Sequence, residues 1–201
     1  MSTILGGLRR DNGRGYGVGK VGWHLPNFFV IMDAITIVLC NNNSDLSIRI
    51  QGEIVALPDL NDAGDLPPGI HQATLSEIVE RFGTTPAKRQ VLALRLERIH
   101  KLAVGTGHIA RFIVFGSFVT DKMEPNDVDV FILMENSFDF DQLVGETRLL
   151  FEHGTAQAHF GCSLFWIRRL AALDGEQATI EHWQIKRNRE LRGIIEIVAE
   201  A

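Results

Sequence analysis

Apolar positions fall into blocks whose spacing changes along the chain, and the clearest change lies between Arg111 and Met134, RFIVFGSFVTDKMEPNDVDVFILM. Phe112 to Phe115 is a short aromatic and β-branched run that stops at Gly116-Ser117. After a polar interval ending in Pro125-Asn126, a second run carries Asp127 and Asp129 and closes on Phe131-Ile132-Leu133-Met134. This pattern predicts strand, turn, strand. Upstream the period is helical: from Pro86 to about Val104, Val91, Leu92, Leu94, Leu96, Ile99, Leu102 and Ala103 form an apolar face. Lys88, Arg89, Arg95, Glu97, Arg98 and Lys101 form a polar face, expected to be solvated. Before it, Thr74-Leu75-Ser76-Glu77 fits a capping box opening a short helix through Phe82, with Gly83 ending it. Leu57 to Ile70 is rich in turn residues and reads as an irregular lead-in. Beyond Met134, Asp139 to His153 is expected as a helix, His159 to Ile167 as a third strand, Ala178 to Leu191 as a polar helix or irregular return, and Gly193 to Val198 as a final strand-like segment.

Alternation on the second strand gives the pattern its chemical meaning. Residues two apart share a face, so Asp127 and Asp129 project together while Val128 and Val130 point the other way into apolar packing. Two carboxylates this close resist joint ionisation, and a divalent cation relieves the conflict. Magnesium binds through one or two carboxylates and completes its shell with water and substrate phosphates, which suits Asp-x-Asp. Gly116 permits a tight turn, and a helical turn over Phe118 to Lys122 would turn its amides and the Ser117 hydroxyl toward a phosphate. The arrangement points to a metal-bound nucleoside triphosphate.

Gly-Ser, nine residues, then Asp-x-Asp, each half on an apolar strand, resembles the signature of the nucleotidyltransferase superfamily that includes DNA polymerase β and small bacterial nucleotidyltransferases. Leu66-Pro67-Pro68-Gly69-Ile70-His71 followed by the Thr-capped helix also resembles the opening of an uncharacterised group of bacterial nucleotidyltransferase-like proteins. The resemblance implies an α/β (α+β) fold, a mixed sheet flanked by helices. It implies that Gly116 and Ser117 hold the triphosphate and that Asp127 and Asp129 hold Mg2+. A toxin-antitoxin or phage-defence setting is a further implication.

One departure stands out. In the superfamily the next strand often bears a third carboxylate, which acts as base and metal ligand. The segment HFGCSLFWI has none: Cys162, Leu164 and Trp166 share one face, Ser163, Phe165 and Ile167 the other, and Ser163 falls where the acid is expected. His159 and Glu196 are candidate substitutes, the plainer role of Glu196 being an edge-strand charge that discourages aggregation. His71 reads as a hydrogen-bonded turn residue. Arg168, Arg169, Lys186, Arg187, Arg189 and Arg192 either bind phosphates or decorate element ends.

Composition narrows the setting. A net charge of -5 from 20 basic and 25 acidic residues argues against an extended nucleic-acid footprint, leaving Lys186-Arg187-Asn188-Arg189 as a local basic patch. Cys40 and Cys162 have neither metal-ligand nor disulfide spacing and read as buried thiols in a reducing cytoplasm. Residues 1–27 combine repeated glycine with Arg9, Arg10, Arg14 and Lys20, a composition expected to be disordered. Phe28 to Cys40, thirteen mostly apolar residues broken by Asp33, is too short to span a bilayer and reads as a buried strand or short helix. The expected organisation is an irregular extension over 1–55, or an upstream start, followed by a nucleotidyltransferase-like domain over 56–201.

Three functions are compatible with these residues. The first is magnesium-dependent transfer of a nucleoside monophosphate from an NTP to a hydroxyl on a protein, an RNA or a small molecule. No recognisable acceptor-binding domain follows the core, so the acceptor would come with a partner protein or a second copy of the chain. The second is a degenerate binding module that holds metal and nucleotide without turnover. The third is a purely structural interaction protein.

Overall fold

The computed structural model describes residues 56–200, together with the backbone of two short strands, β1 (Ile37–Val38) and β2 (Arg49–Ile50). The chain divides into two units, 1–52 and 53–201. In the first, β1 and β2 pair antiparallel, Ile37 opposite Ile50. The expectations for residues 1–27, for Cys40 and for the rest of Phe28 to Cys40 lie outside the described residues.

The second unit is a mixed α+β domain. Its elements are β3 (Ile70–Ala73), α1 (Leu75–Phe82), α2 (Ala87–Val104), β4 (Ile109–Phe115), β5 (Val128–Met134), α3 (Gly145–Phe151), α4 (His153–Phe160), β6 (Cys162–Arg168), α5 (Glu176–Glu181) and β7 (Ile194–Ile197). The sheet order is β3-β7-β4-β5-β6; β4 is antiparallel to β7 and β5, while β3 with β7 and β5 with β6 run parallel. The β4–β5 pair is the predicted strand, turn, strand.

Alternation along these strands divides the apolar residues between two faces. Phe112, Val114, Val128, Val130, Ile132, Met134, Cys162 and Leu164 join the main core under α1 to α4 with Ile78, Leu92, Leu96 and Ile99. On the other face Ile113, Phe115, Phe131 and Leu133 form a smaller core with Ile180 of α5 and Trp183. Asp127 and Asp129 belong by parity to this second face, as expected.

Local sequence explains the best-defined elements. Thr74 caps α1 by accepting from the Glu77 amide at 3.2 Å, while Glu77 Oε2 accepts from the Thr74 amide at 2.7 Å. Gly83 closes α1. Turn residues hold the lead-in through their side chains: Asn61 Oδ1 accepts from the amides of Ala63 and Asp65 at 3.0 and 3.1 Å.

Several expectations need correction. Asp139 to His153 is not one helix: a short 3-10 turn spans Phe140–Gln142, Leu143 and Val144 are extended, and α3 begins only at Gly145. The Asp139 carboxylate accepts from the Asp141 amide at 3.0 Å, a side-chain bond that competes with helix propagation. His159 is not on a strand, because α4 continues to Phe160 and Gly161, at φ +62, terminates it before β6. Ile70–Ala73, read as turn and helix approach, is a strand that exists through its parallel pairing with β7. Ala178 to Leu191 is the irregular return, with only α5 and a 3-10 turn over His182–Gln184 regular at its start. Glu196 is not an edge charge, since β7 lies between β3 and β4. Val91 and Leu94 of α2 are exposed, and its polar face is not wholly solvated: Arg89 is buried.

Candidate functional site

Gly116 and Ser117 leave β4 on a 3-10 turn, Gly116–Val119, not on a helical turn over Phe118 to Lys122. Gly116 is at φ +82, and a Cβ there would overlap the Asp129 carboxylate. Both observations require glycine. The Ser117 amide lies close enough to favour the charged form of Asp129, and Ser117 lines the cleft. Gly116→Ala should cost roughly 1–2 kcal/mol from the left-handed backbone alone. It should also displace Asp129 and weaken any magnesium-dependent ligand binding, measurable by urea unfolding and titration calorimetry.

The segment after this turn is held by Arg89. Its guanidinium, 4 % exposed, donates to the carbonyls of Phe82 (2.9 Å), Phe118 (2.9 Å), Thr120 (2.5 Å) and Lys122 (2.7 and 3.1 Å). These contacts use every N–H of the side chain. Burial holds its pKa below the ordinary arginine value, with Asp121 opposing the shift. Sequence reasoning placed Arg89 on the solvated face because a helical period cannot distinguish a buried, saturated arginine from an exposed one.

Asp127 immediately precedes β5, and Asp129 is its second residue. Parallel pairing sets Asp129 opposite Ser163 of β6, whose hydroxyl donates to Asp127 Oδ2 at 2.8 Å. The position expected for a third acid therefore holds a hydroxyl bonded to the acid pair. Among the described residues no three His, Cys, Asp or Glu side chains converge as a metal-ligand group. Burial first, and the Asp127 charge second, push the Asp129 carboxyl up to about 6, opposed by Arg192, Arg187 and the Ser117 amide. Beneath the site, burial and the Asp127 charge push the Cys162 thiol up to about 12, so it is an inert core group.

The opposite wall comes from the return segment. Ile185 and Leu191 form an isolated antiparallel bridge, and Lys186 and Glu190 close the tight connection between them. Lys186 bonds to the buried carboxylate of Asp65 at 2.9 Å and to Glu190 at 3.0 Å, and these bonds raise its pKa. Arg187 and Arg192 face Asp129. Arg192 Nε is buried and has no hydrogen-bond partner among the described residues. Ser117, Lys122, Asn126, Asp127, Asp129 and Ser163 line one side of an open cleft of about 640 Å³; Gln157, Lys186, Arg187, Asn188 and Arg192 complete it.

The four expected site residues thus meet: Asp127, Asp129 and Ser117 line the cleft, and Gly116 packs directly on Asp129. Of the basic residues, Lys186, Arg187 and Arg192 join them, whereas Arg169 pairs with Glu135 and Glu176 elsewhere. Neither substitute base is in the cleft. His159 is exposed on the outer side of α4 beside Glu146, and Glu196 is held by Arg111 through two bonds of 2.6 and 2.7 Å. His71 bonds the Pro67 carbonyl at 2.8 Å, so it is hydrogen-bonded as expected, but from strand β3 and not from a turn. Gln157 was missed because a lone amide on a helix carries no sequence signal.

The fold and cleft define an α+β domain with an acidic pair facing a basic hairpin. Residues 58–198 match the model of a family of unknown function (DUF6932), and the chain belongs to that family. No curated protein and no solved structure matches the chain. Among the described residues no helix is long and apolar enough to cross a membrane.

Proposed function

We propose that this domain is a magnesium-dependent nucleotidyltransferase that moves a nucleoside monophosphate from an NTP to a hydroxyl acceptor. The observation that carries the reading is the convergence, in one cleft, of Asp127 and Asp129 with Arg187 and Arg192. An acid pair facing guanidinium groups suits a cation bridged to a polyphosphate better than either ligand alone.

The donors fit magnesium. Carboxylate and hydroxyl oxygens are hard ligands, Asp129 resists ionisation because it is buried beside the Asp127 charge, and Gly116 leaves the carboxylate room that a side chain would fill. Asp127 and Asp129 would hold the ion, which when bound supplies neutralisation of phosphate and leaving-group charge. Arg187 and Arg192, which line the cleft, would bind phosphate oxygens. Ser117 would hold a terminal phosphate through its hydroxyl, and Ser163 orients Asp127. The acceptor hydroxyl, brought by a protein, RNA or small molecule, would form the new P–O bond as pyrophosphate leaves. The inert Cys162 thiol suits a reducing cytoplasm.

Ser163 at the third-acid position specifically favours a second reading, a module that binds Mg2+ and nucleotide without turnover, in a defence or toxin-antitoxin pair. Both readings predict that Mg2+ with ATP stabilises the native chain. At a hundredfold excess over Kd the gain is about 2.7 kcal/mol, several degrees in Tm. Asp127→Asn with Asp129→Asn should abolish that shift in thermal unfolding. An unchanged shift in the double variant would remove the metal-site assignment.

A further inference from the structure

The carboxylate cleft has an apolar neighbour. At the free edge of β6 a second cavity, of about 330 Å³, is lined by Phe131, His153, Phe165, Trp166, Trp183 and adjacent aliphatic positions. Three separate elements place it beside the cleft. On β5, Asp129 lines the cleft and Phe131 the cavity. On β6, Ser163 and Phe165 divide in the same way, each in register with its β5 counterpart. On α4, Gln157 faces the cleft and His153, four residues earlier and hence on the same helix face, faces the cavity. Two residues along a strand is about 6.6 Å, so the polar and aromatic sites are separated by roughly the reach of a ribose.

The cavity is built for a flat ring. Phe165 is 37 % exposed despite its size. It is braced by His153 at 4.9 Å and Trp183 at 5.0 Å between ring centroids, and Trp183 is seated in turn on Phe115 and Phe131 at 4.7 and 4.9 Å. His153 Nδ1 lies 3.2 Å from the Leu164 carbonyl. A carbonyl can only accept, so that nitrogen carries the proton and the ring is fixed in place. The result is a rigid aromatic shelf opening next to the phosphate-binding wall.

Resting on the nucleotidyltransferase reading, we infer that this shelf is the nucleobase subsite, with the base of the bound NTP stacking on Phe165. Its lining is dominated by ring faces and aliphatic carbon, which reward stacking area and not a particular hydrogen-bonding edge. Purine nucleotides therefore bind more tightly than pyrimidine nucleotides, with little discrimination between adenine and guanine.

The test compares inorganic tripolyphosphate, ATP, GTP and UTP, each with Mg2+, by titration calorimetry on the full chain and on Phe165→Ala and Phe165→Tyr. Phe165 lies at the cavity rim, so both variants keep the core. The expected result is tripolyphosphate binding in all three proteins, with ATP and GTP tighter than tripolyphosphate by roughly tenfold or more in the wild type and UTP between them. Phe165→Tyr keeps the purine advantage and Phe165→Ala loses most of it. ATP binding no tighter than tripolyphosphate, or an advantage untouched in Phe165→Ala, overturns the nucleobase subsite while leaving the phosphate site standing. Failure of tripolyphosphate and every nucleotide to bind wild-type protein overturns both readings together.

Discussion

Replacing Arg89 with Met is expected to destabilise the domain by about 3–5 kcal/mol, a large share of the roughly 5–15 kcal/mol that holds a typical native domain together. Methionine fills much of the volume yet leaves the carbonyls of Phe82, Phe118, Thr120 and Lys122 without the guanidinium that now satisfies them. Lysine rescues only in part, because three donors on a point charge cannot reproduce a planar fork reaching four carbonyls. The midpoint of urea unfolding reads the effect directly. A loss below about 1 kcal/mol would show that these carbonyls find other partners and that Arg89 is not what fixes the chain after Ser117.

The second large effect is a gain. With its carboxyl at about 6 in the folded state against an ordinary 3.8, Asp129 binds its proton more tightly when folded. The stability it contributes is present in full below pH 3.8 and is lost as pH rises through 6, the reverse of a salt-bridged aspartate. Asp129→Asn removes this dependence. Relative to wild type without divalent cation, the variant should be about 2–3 kcal/mol more stable at pH 7.5, and the difference should vanish near pH 4. At roughly 2–4 °C per kcal/mol, the Tm gain at pH 7.5 is about 4–12 °C. A pair of melts at the two pH values checks the sign. Equal Tm values for variant and wild type at pH 7.5 would mean that the acid pair carries no strain, removing the electrostatic argument for a cation there. A gain in stability from deleting a chemically important group is the expected cost of burying a carboxylate beside a second one.

The features legible in the sequence are those with short-range causes. Alternation placed Asp127 and Asp129 on one face and Val130 in the core; the Thr74 and Glu77 pair fixed the start of α1; Gly116 marked a backbone that only glycine adopts beside Asp129. What was missed depends on contacts distant in sequence. β3 is four residues long and takes its identity from pairing with β7 more than a hundred positions later. Arg89 looked like its solvated neighbours because its partners are carbonyls, which leave no residue-type signature. Trp183, isolated in a polar stretch, gave no sign that it covers Phe115 and Phe131. Gly161 was a readable stop signal, and taking it as the end of a helix would have moved His159 off the strand. The basic residues between Arg168 and Arg192 read alike in sequence, and only the fold separates Arg187 and Arg192, which face Asp129, from Arg169, which does not.

The most direct measurement of the central claim is incubation of the purified chain with each of the four α-labelled NTPs and Mg2+ in the presence of cell lysate, beside Asp127→Asn with Asp129→Asn. Wild-type protein is predicted to transfer label to an acceptor, most strongly from a purine nucleotide, and the double variant to transfer none. Equal labelling by the two proteins, or no transfer from any nucleotide despite magnesium-dependent nucleotide binding, would contradict nucleotidyl transfer at this acid pair.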